Sequence, residues 1–194
     1  MKGVIFTQFV EFVTDRYGGD TVARLTAPDG APATSHYRAT GNYDHAELVT
    51  MADAVAAAVG EPRARLLERF GAALFAHFAA LYPVFFYEVD SALSLLARVE
   101  TYVHGEVKKL YPDAEFPRFE CVERAPGTLE MTYRSTRPLA DVAEGLIRGC
   151  IEHFGDSLEV HREDLPGPSG CAARFSLVGA ASPRSRRAAG SSDV

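Results

Sequence analysis

The spacing of the apolar residues changes once along the chain, near residue 115, and this change limits the folds that the chain can adopt. Before it, apolar residues recur at the three- and four-residue spacing of amphipathic helices. After it, two pairs of segments have the alternation and composition of β-strands, and each pair surrounds a Pro-Gly turn, at residues 126–127 and 166–167. Helices followed by hairpins predict an α+β fold, in which helices pack on a small antiparallel sheet.

The helical part is divided by residues that begin or stop helices. Asp44 is a suitable N-cap, and Pro62 is tolerated in a first helical turn. The predicted helices are one that carries Val4 to Val13 and ends before Gly18, one from Asp20 to Thr26, one from Asp44 to Val59, one from Glu61 to Tyr82, and one from about Ser91 to Leu110.

The remaining part is predicted to contain strands with one inserted helix. The helical segment is LADVAEGLIRGCIEHFG, which ends at Gly155. The predicted strands are Phe116 to Cys121, Thr128 to Thr136, SLEVHRE and CAARFSLV. With 194 residues, 47% of them hydrophobic, the chain can bury one core, so we expect a single domain over residues 1–180 and a disordered tail over residues 181–194.

Charge and composition argue against several functions. A formal net charge of -6 is unfavourable for binding nucleic acid, and no apolar run has the ~18 residues that a membrane span needs. Glu11 and Asp15 interrupt the N-terminal apolar segment, which is therefore not a signal peptide. We expect a cytoplasmic protein. The sequence lacks P-loop, dinucleotide-binding and nucleophile-elbow motifs, so we do not expect an enzyme.

The cysteines do not form a metal-binding pattern. There are three, Cys121, Cys150 and Cys171, without CxxC spacing, and they are expected to be reduced thiols. Cys150, His161 and Cys171 are too isolated to predict a structural zinc site. The absence of CxxCH excludes covalent attachment of a c-type haem.

Two of the six histidines lie in partly apolar helical segments. His77 shares a helix face with Phe70 and Leu74, whereas His104 lies between Val103 and Val107. Either can be a buried structural histidine or an axial metal ligand, and their spacing does not rank them.

The stretch MTYRSTRPLA places three polar side chains two residues apart. On a continuous strand Tyr133, Ser135 and Arg137 share one face, in steps of roughly 7 Å. Three hydrogen-bond donors, the last a planar cation, suit a doubly anionic group such as a pair of carboxylates. A solvated strand face is the alternative interpretation.

Three segments together resemble one family. MKGVIF, VHGEVKKLYPDAEFPRFEC, and TYRSTRPL followed by AEGLIRG are similar to the H-NOX (haem-nitric oxide/oxygen binding, HNOB) domains of bacteria and of soluble guanylate cyclase. The resemblance extends over residues 1–178. It implies an N-terminal helical subdomain and a C-terminal part with a four-stranded antiparallel sheet and an inserted helix, with haem b bound non-covalently between them.

The resemblance also assigns roles to individual residues. His104 is implied to be the proximal ligand of the haem iron, and Tyr133, Ser135 and Arg137 to hold the two propionates. His77 then becomes a structural residue. The remaining implied haem-pocket residues are Pro117, which distorts the porphyrin, Ile5 on the distal side, and Phe75 or Phe78 on the distal helix.

The choice of gas follows from the distal residues. Oxygen-binding members of the family carry a distal tyrosine nine positions after the motif tyrosine, and here that position is Val142, with Leu146 one turn later. Bound oxygen needs a hydrogen-bond donor and nitric oxide does not, so we expect NO and CO to bind and O2 to bind poorly. Tyr82 or Tyr87 would reverse this expectation by supplying a donor. The C-terminal cysteine and histidine cluster of some members is absent, with Ala140 at one of its positions.

The resemblance therefore implies a stand-alone bacterial NO sensor. In the family, NO binds opposite the proximal histidine, weakens its bond to iron and moves the N-terminal helices relative to the sheet. The expected partner is a separate histidine kinase, diguanylate cyclase or phosphodiesterase. The alternatives are an O2 sensor or carrier on the same fold and a haem-free adaptor that binds another anionic ligand.

Overall fold

The structure, a computed structural model, describes residues 1–25 and 30–179, apart from the side chain of Leu110. The predicted tail at 181–194 and the predicted end of the second helix at Thr26 lie outside the described residues.

The helices form most of the N-terminal part. A short 3₁₀ turn, Pro83–Phe86, follows the longest helix, and a π-helical turn, Val99–Val103, precedes another. The α-helices are α1 (Gly3–Tyr17), α2 (Gly19–Val22), α3 (Ala33–His36), α4 (His45–Val59), α5 (Arg63–Leu81), α6 (Ala92–Ala97), α7 (His104–Leu110) and α8 (Ala140–Phe154).

Two antiparallel hairpins form a four-stranded sheet, and α8 connects them. The strands are β1 (Arg118–Ala125), β2 (Thr128–Arg134), β3 (Leu158–Asp164) and β4 (Ala172–Gly179), in the order β1-β2-β4-β3. The predicted α+β class with four antiparallel strands and one inserted helix is confirmed. Among the described residues, no helix is long and apolar enough to span a membrane.

The N-terminal helices enclose what we call the helical core. Phe9 of α1 meets Phe70 of α5 edge to face, with ring centroids 5.1 Å apart, and both are completely buried. Helix α4 begins, as predicted, at Asp44, whose side chain and that of Glu47 form a capping box. The largest fully buried members of the helical core are Phe6, Phe9, Phe70, Leu48, Leu66, Leu67 and Val13.

A second cluster, the sheet core, lies between one face of the sheet and helices α6 and α8. The strands alternate, so Leu129, Met131 and Tyr133 of β2 point inward while Glu130 and Thr132 point outward. Inward residues from the helices and β4 complete the cluster: Ala92, Leu95, Leu96, Ala140, Ala143, Ile147, Cys150, Ile151, Ala173, Phe175 and Leu177.

Glycines let α5 and α8 cross with their backbones almost in contact. A Cβ on Gly145 of α8 would lie 1.9 Å from the carbonyl oxygen of Glu68, and one on Gly71 of α5 would lie 2.3 Å from that of Val142. This crossing joins the two cores, because α8 contributes Val142 to the helical core and Ile147 to the sheet core.

Several predicted element boundaries are wrong. The helix expected from Ser91 to Leu110 is divided at Arg98 into α6, the π-helical turn and α7. Valine and threonine in this turn have low helix propensity, which weakens a continuous helix. The strand expected from Phe116 to Cys121 instead extends from Arg118 to Ala125, and the strand expected to reach Thr136 ends at Arg134. The second helix ends at Val22, before its predicted end.

Candidate functional site

His104 lies at the beginning of α7, directly after the π-helical turn. Its Nδ1 is 3.3 Å from Oε2 of Glu100, which also accepts a hydrogen bond of 3.0 Å from the backbone N–H of Phe119. The imidazole stacks on Phe116, with ring centroids 4.7 Å apart and the planes at 22°. One carboxylate therefore connects the histidine to the first residues of β1 and holds the orientation of its ring.

The surroundings of His104 favour its neutral form. The side chain is 16% exposed, and burial lowers the pKa of the imidazole, against the opposing effect of the Glu100 carboxylate. A neutral ring with its proton on Nδ1 donates to Glu100 and keeps the lone pair of Nε2 for a metal ion.

Tyr133, Ser135 and Arg137 lie together, but the strand geometry predicted for them is wrong. Only Tyr133 is in β2; the chain then bends after Ser135, whose N–H still donates to the carbonyl of Cys171. The bend brings the backbone N–H of Arg137 to 3.0 Å from Oγ of Ser135, and the Tyr133 hydroxyl to 3.4 Å from the Arg137 carbonyl. The three residues thus meet through a turn and not along a strand face.

These three side chains differ in how accessible they are to a ligand. Tyr133 is 2% exposed, and burial raises the pKa of its phenol. The guanidinium of Arg137 binds Glu115 twice, from Nη2 to Oε2 at 2.6 Å and from Nη1 to the backbone carbonyl at 3.0 Å. A largely exposed carboxylate thus already engages the arginine, which shows that Arg137 can bind an anionic oxygen in this position.

The predicted distal residues pack at the helical core. Val142 is buried within it, and Ile5, Phe78 and Leu146 are half-buried against it. Phe75, the other candidate on α5, packs instead at the sheet core. Of the two phenylalanines, Phe78 therefore shares a core with Val142.

The two tyrosines considered as distal donors have different surroundings. Tyr87 is 78% exposed. The hydroxyl of Tyr82 bonds with Tyr111, and burial together with this hydrogen bond raises the pKa of Tyr82.

The other candidates have ordinary structural surroundings. His77 is half-buried with its ring 5.8 Å from that of Phe78, and Pro117 is half-buried between Phe116 and β1. Burial raises the pKa of Cys121 to about 11 and that of Cys150 to about 12. Within residues 1–25 and 30–179, no cluster of three His, Cys, Asp or Glu side chains is placed to hold a metal ion.

A profile of the haem-NO-binding family matches residues 2–162. The chain belongs to the haem-NO-binding, or H-NOX, family. Its members are haem-based gas-sensing domains that act on partner proteins and are not catalytic.

Solved H-NOX structures have the same fold. An unliganded Fe(II) H-NOX protein from K. algicida has 27% sequence identity over 94% of this chain and 98% of its own, with a TM-score of 0.84. An H-NOX protein from S. oneidensis in the Fe(II)NO ligation state has 24% identity over 93% of this chain and 99% of its own, with a TM-score of 0.83. No curated protein matches this chain.

Three residues of this H-NOX site were not predicted from the sequence: Glu100, Glu115 and Phe116. The spacing of Glu100 and His104, four residues apart in a helical segment, was a usable signal for their contact. Glu115 and Phe116 lie in the loop between α7 and β1, where no periodic pattern indicates which side chain faces the site.

Proposed function

We propose that this H-NOX domain binds haem b non-covalently, with His104 as the axial ligand, and senses nitric oxide. The observation that carries the proposal is the contact of His104 Nδ1 with Glu100. Metal-binding histidines generally donate their second N–H to a carboxylate or carbonyl, which sets the tautomer and the ring orientation. The lowered pKa of His104 acts in the same direction, because only the neutral imidazole can be a ligand.

The polar side chains suit the two propionates of haem. Arg137, Ser135 and the Tyr133 hydroxyl lie within one turn, and Arg137 already holds a carboxylate. A propionate would take the place of the exposed Glu115 side chain at the guanidinium. The exchange conserves one charge-assisted pair, so its cost is small.

Haem would supply a ferrous iron that binds diatomic gases. The residues proposed to face the gas, Val142, Leu146 and Phe78, carry no hydrogen-bond donor in their side chains. Tyr82 is engaged with Tyr111, and Tyr87 is exposed to solvent. A pocket of carbon side chains does not stabilise the partial negative charge of bound O2, whereas NO and CO depend little on such help.

The absorption spectrum tests the proposal directly. Protein expressed with ample haem and reduced without air is expected to show a Soret band that NO shifts and that air does not convert into a stable ferrous-oxy spectrum. A stable ferrous-oxy spectrum in air would favour an O2 sensor or carrier. Protein that takes up no haem would contradict both and leave the haem-free adaptor, with Tyr133, Ser135 and Arg137 binding a different anion.

The contribution of Val142 to the choice of gas can be measured with two matched variants. Val142→Tyr adds a ring and a hydroxyl at a buried position, and Val142→Phe adds the ring alone. We expect only the tyrosine variant to form a stable ferrous-oxy complex in air, because a hydrogen bond to a charged group contributes about 1.5–3 kcal/mol, or at least about tenfold in affinity. Oxygen titration of both reduced variants measures the difference. Equal oxygen affinity would show that a donor at this position does not decide the choice of gas.

The proposed signal goes to a separate protein, such as a histidine kinase, a diguanylate cyclase or a phosphodiesterase. His104 stacks on Phe116, which precedes Pro117 and β1, so a displacement of the imidazole is transmitted to the edge of the sheet. The proposed role of Pro117 is to press on the porphyrin from this side, and that of Ile5 is to pack on the distal side.

A further inference from the structure

Two arginines lie side by side at the end of the sheet with little compensating charge. Arg118 of β1 and Arg134 of β2 are direct cross-strand partners. They point to the outer face, since the next pair in register, Phe119 and Tyr133, points into the sheet core. Like charges directly opposite each other destabilise a sheet, so the stability of the sheet does not explain this pair of arginines.

Other arginines on the outer face are neutralised. Arg124 pairs with Glu130 at 2.6 Å, and Arg174 pairs with Glu163 at 2.8 Å. By contrast, among residues 1–25 and 30–179 the only carboxylate near Arg118 is that of Glu120, at 3.8 Å. Within the part of the chain that the structure describes, no carboxylate lies within salt-bridge distance of Arg134. The unneutralised charge is therefore local to this end of a protein whose net charge is -6.

The two arginines border an open cleft of about 450 Å³. Ser135 and Thr136 also line it, together with Glu115, which Arg137 binds and which a haem propionate is proposed to replace there. The Phe116 ring that stacks on His104 forms another part of the wall. The cleft thus combines two cations that lack a close carboxylate partner with a ring that contacts the proposed iron ligand.

We propose that this cleft is the docking site for an acidic segment of a partner protein, with Arg118 and Arg134 binding its carboxylates. Small-ligand sites enclose most of their ligand, whereas the Arg118 side chain is 74% exposed, as is typical of a polar interface rim. Arg118 and Arg134 have no role in the proposed haem site, but the cleft borders that site through Glu115, Phe116 and Ser135. A second property of the docking site, that gas binding changes the affinity for the partner, rests on the proposed function through the contact between Phe116 and His104.

Binding of a fluorescently labelled, glutamate-rich peptide tests the surface. Fluorescence anisotropy would compare wild type with the Arg118→Gln/Arg134→Gln variant and with Arg63→Gln/Arg65→Gln, which removes the same charge from exposed positions on α5. We expect the cleft variant to bind at least about tenfold more weakly and the control to remain within about twofold, with the wild-type affinity falling as salt is raised.

Three results would overturn the docking site: no peptide binding, equal weakening in the control, or stronger competition by inorganic phosphate than by unlabelled peptide. The last would indicate a phosphoryl ligand. Repeating the titration on reduced protein with and without NO tests the coupling; an affinity that changes by at least about threefold supports it and an unchanged affinity contradicts it. Absorption spectra of the same samples separate the two proposals, because peptide binding can be measured whether or not haem is present.

Discussion

Replacing His104 by glycine is expected to remove haem from the purified protein, and added imidazole is expected to restore it. The variant loses the only side chain proposed to bind the iron, while the propionate-binding residues remain. Altering an outer-shell partner typically costs about 10–100-fold in metal affinity, so loss of the ligand itself should exceed this range, and Glu100→Ala should fall within it. The measurement is the ratio of Soret to protein absorbance, together with a haem titration.

The matched control is His77→Ala, which removes the other helical histidine. It should keep its full haem content, because His77 packs beside Phe78 with no proposed role at the iron. Far-UV circular dichroism distinguishes a variant that has lost haem because the iron ligand is missing from one that has lost its fold. Retention of haem by a folded His104→Gly variant, with an unchanged spectrum and no response to imidazole, would rule out His104 as the ligand.

Gly145→Ala is expected to destabilise the protein by about 3 kcal/mol or more, in spite of the better helix propensity of alanine. The added Cβ would lie 1.9 Å from the Glu68 carbonyl oxygen and 2.8 Å from Cα of Gly71. Overpacking usually costs about 1–3 kcal/mol, and here the obstacle is backbone, which cannot rotate away as a side chain does. The gain in propensity, about 1 kcal/mol, is smaller. Denaturant unfolding measures the difference in the free energy of unfolding.

The glycines of the crossing provide a graded series should Gly145→Ala fail to fold. A Cβ on Gly71 would lie 2.3 Å from a backbone carbonyl oxygen, and a Cβ on Gly149 would lie 2.9 Å from another. The expected destabilisation therefore decreases from Gly145 to Gly71 to Gly149. Gly19→Ala is the control, because a Cβ there meets nothing within 4 Å. A Gly145→Ala variant as stable as the control would mean that α5 and α8 do not pack at this distance.

This crossing also matters for the proposed site. Helix α8 carries Val142 and Leu146, and α5 carries Phe78. Separation of the two helices would displace all three residues. We therefore expect any Gly71 or Gly149 variant that folds to change its affinity for haem as well as its stability.

Most of the fold was predictable because local patterns and tertiary packing agree over most elements. The Asp44 cap, the helix ending at Gly155 and the four strands follow from capping, glycine C-caps and alternation. The prediction was wrong between Ser91 and Leu110, where apolar spacing looked like one helix. Periodicity does not distinguish an α-helix from one that contains a single π-helical turn, because the apolar side remains the same on average.

Part of the candidate site was identified from the sequence, but its geometry was not. The motif containing Tyr133, Ser135 and Arg137 was found, yet its members meet through a bend and not along a strand. The contact of Arg137 with Glu115, 22 residues earlier, could not be inferred, since nothing in local spacing relates a loop residue to a distant turn.

The sequence by itself determined the class of fold and the two hairpins with their intervening helix, because these depend on short-range patterns of apolar and turn residues. Local spacing did not distinguish His104 from His77, and only the resemblance to the family made His104 the proposed iron ligand. Only the tertiary structure decided that Glu100 orients His104, that Phe78 and not Phe75 shares a core with Val142, and that Arg118 and Arg134 lie opposite each other. Each of these depends on strand register or on the direction of a side chain across a packed interface. Both are fixed only when elements that are distant in sequence pack together.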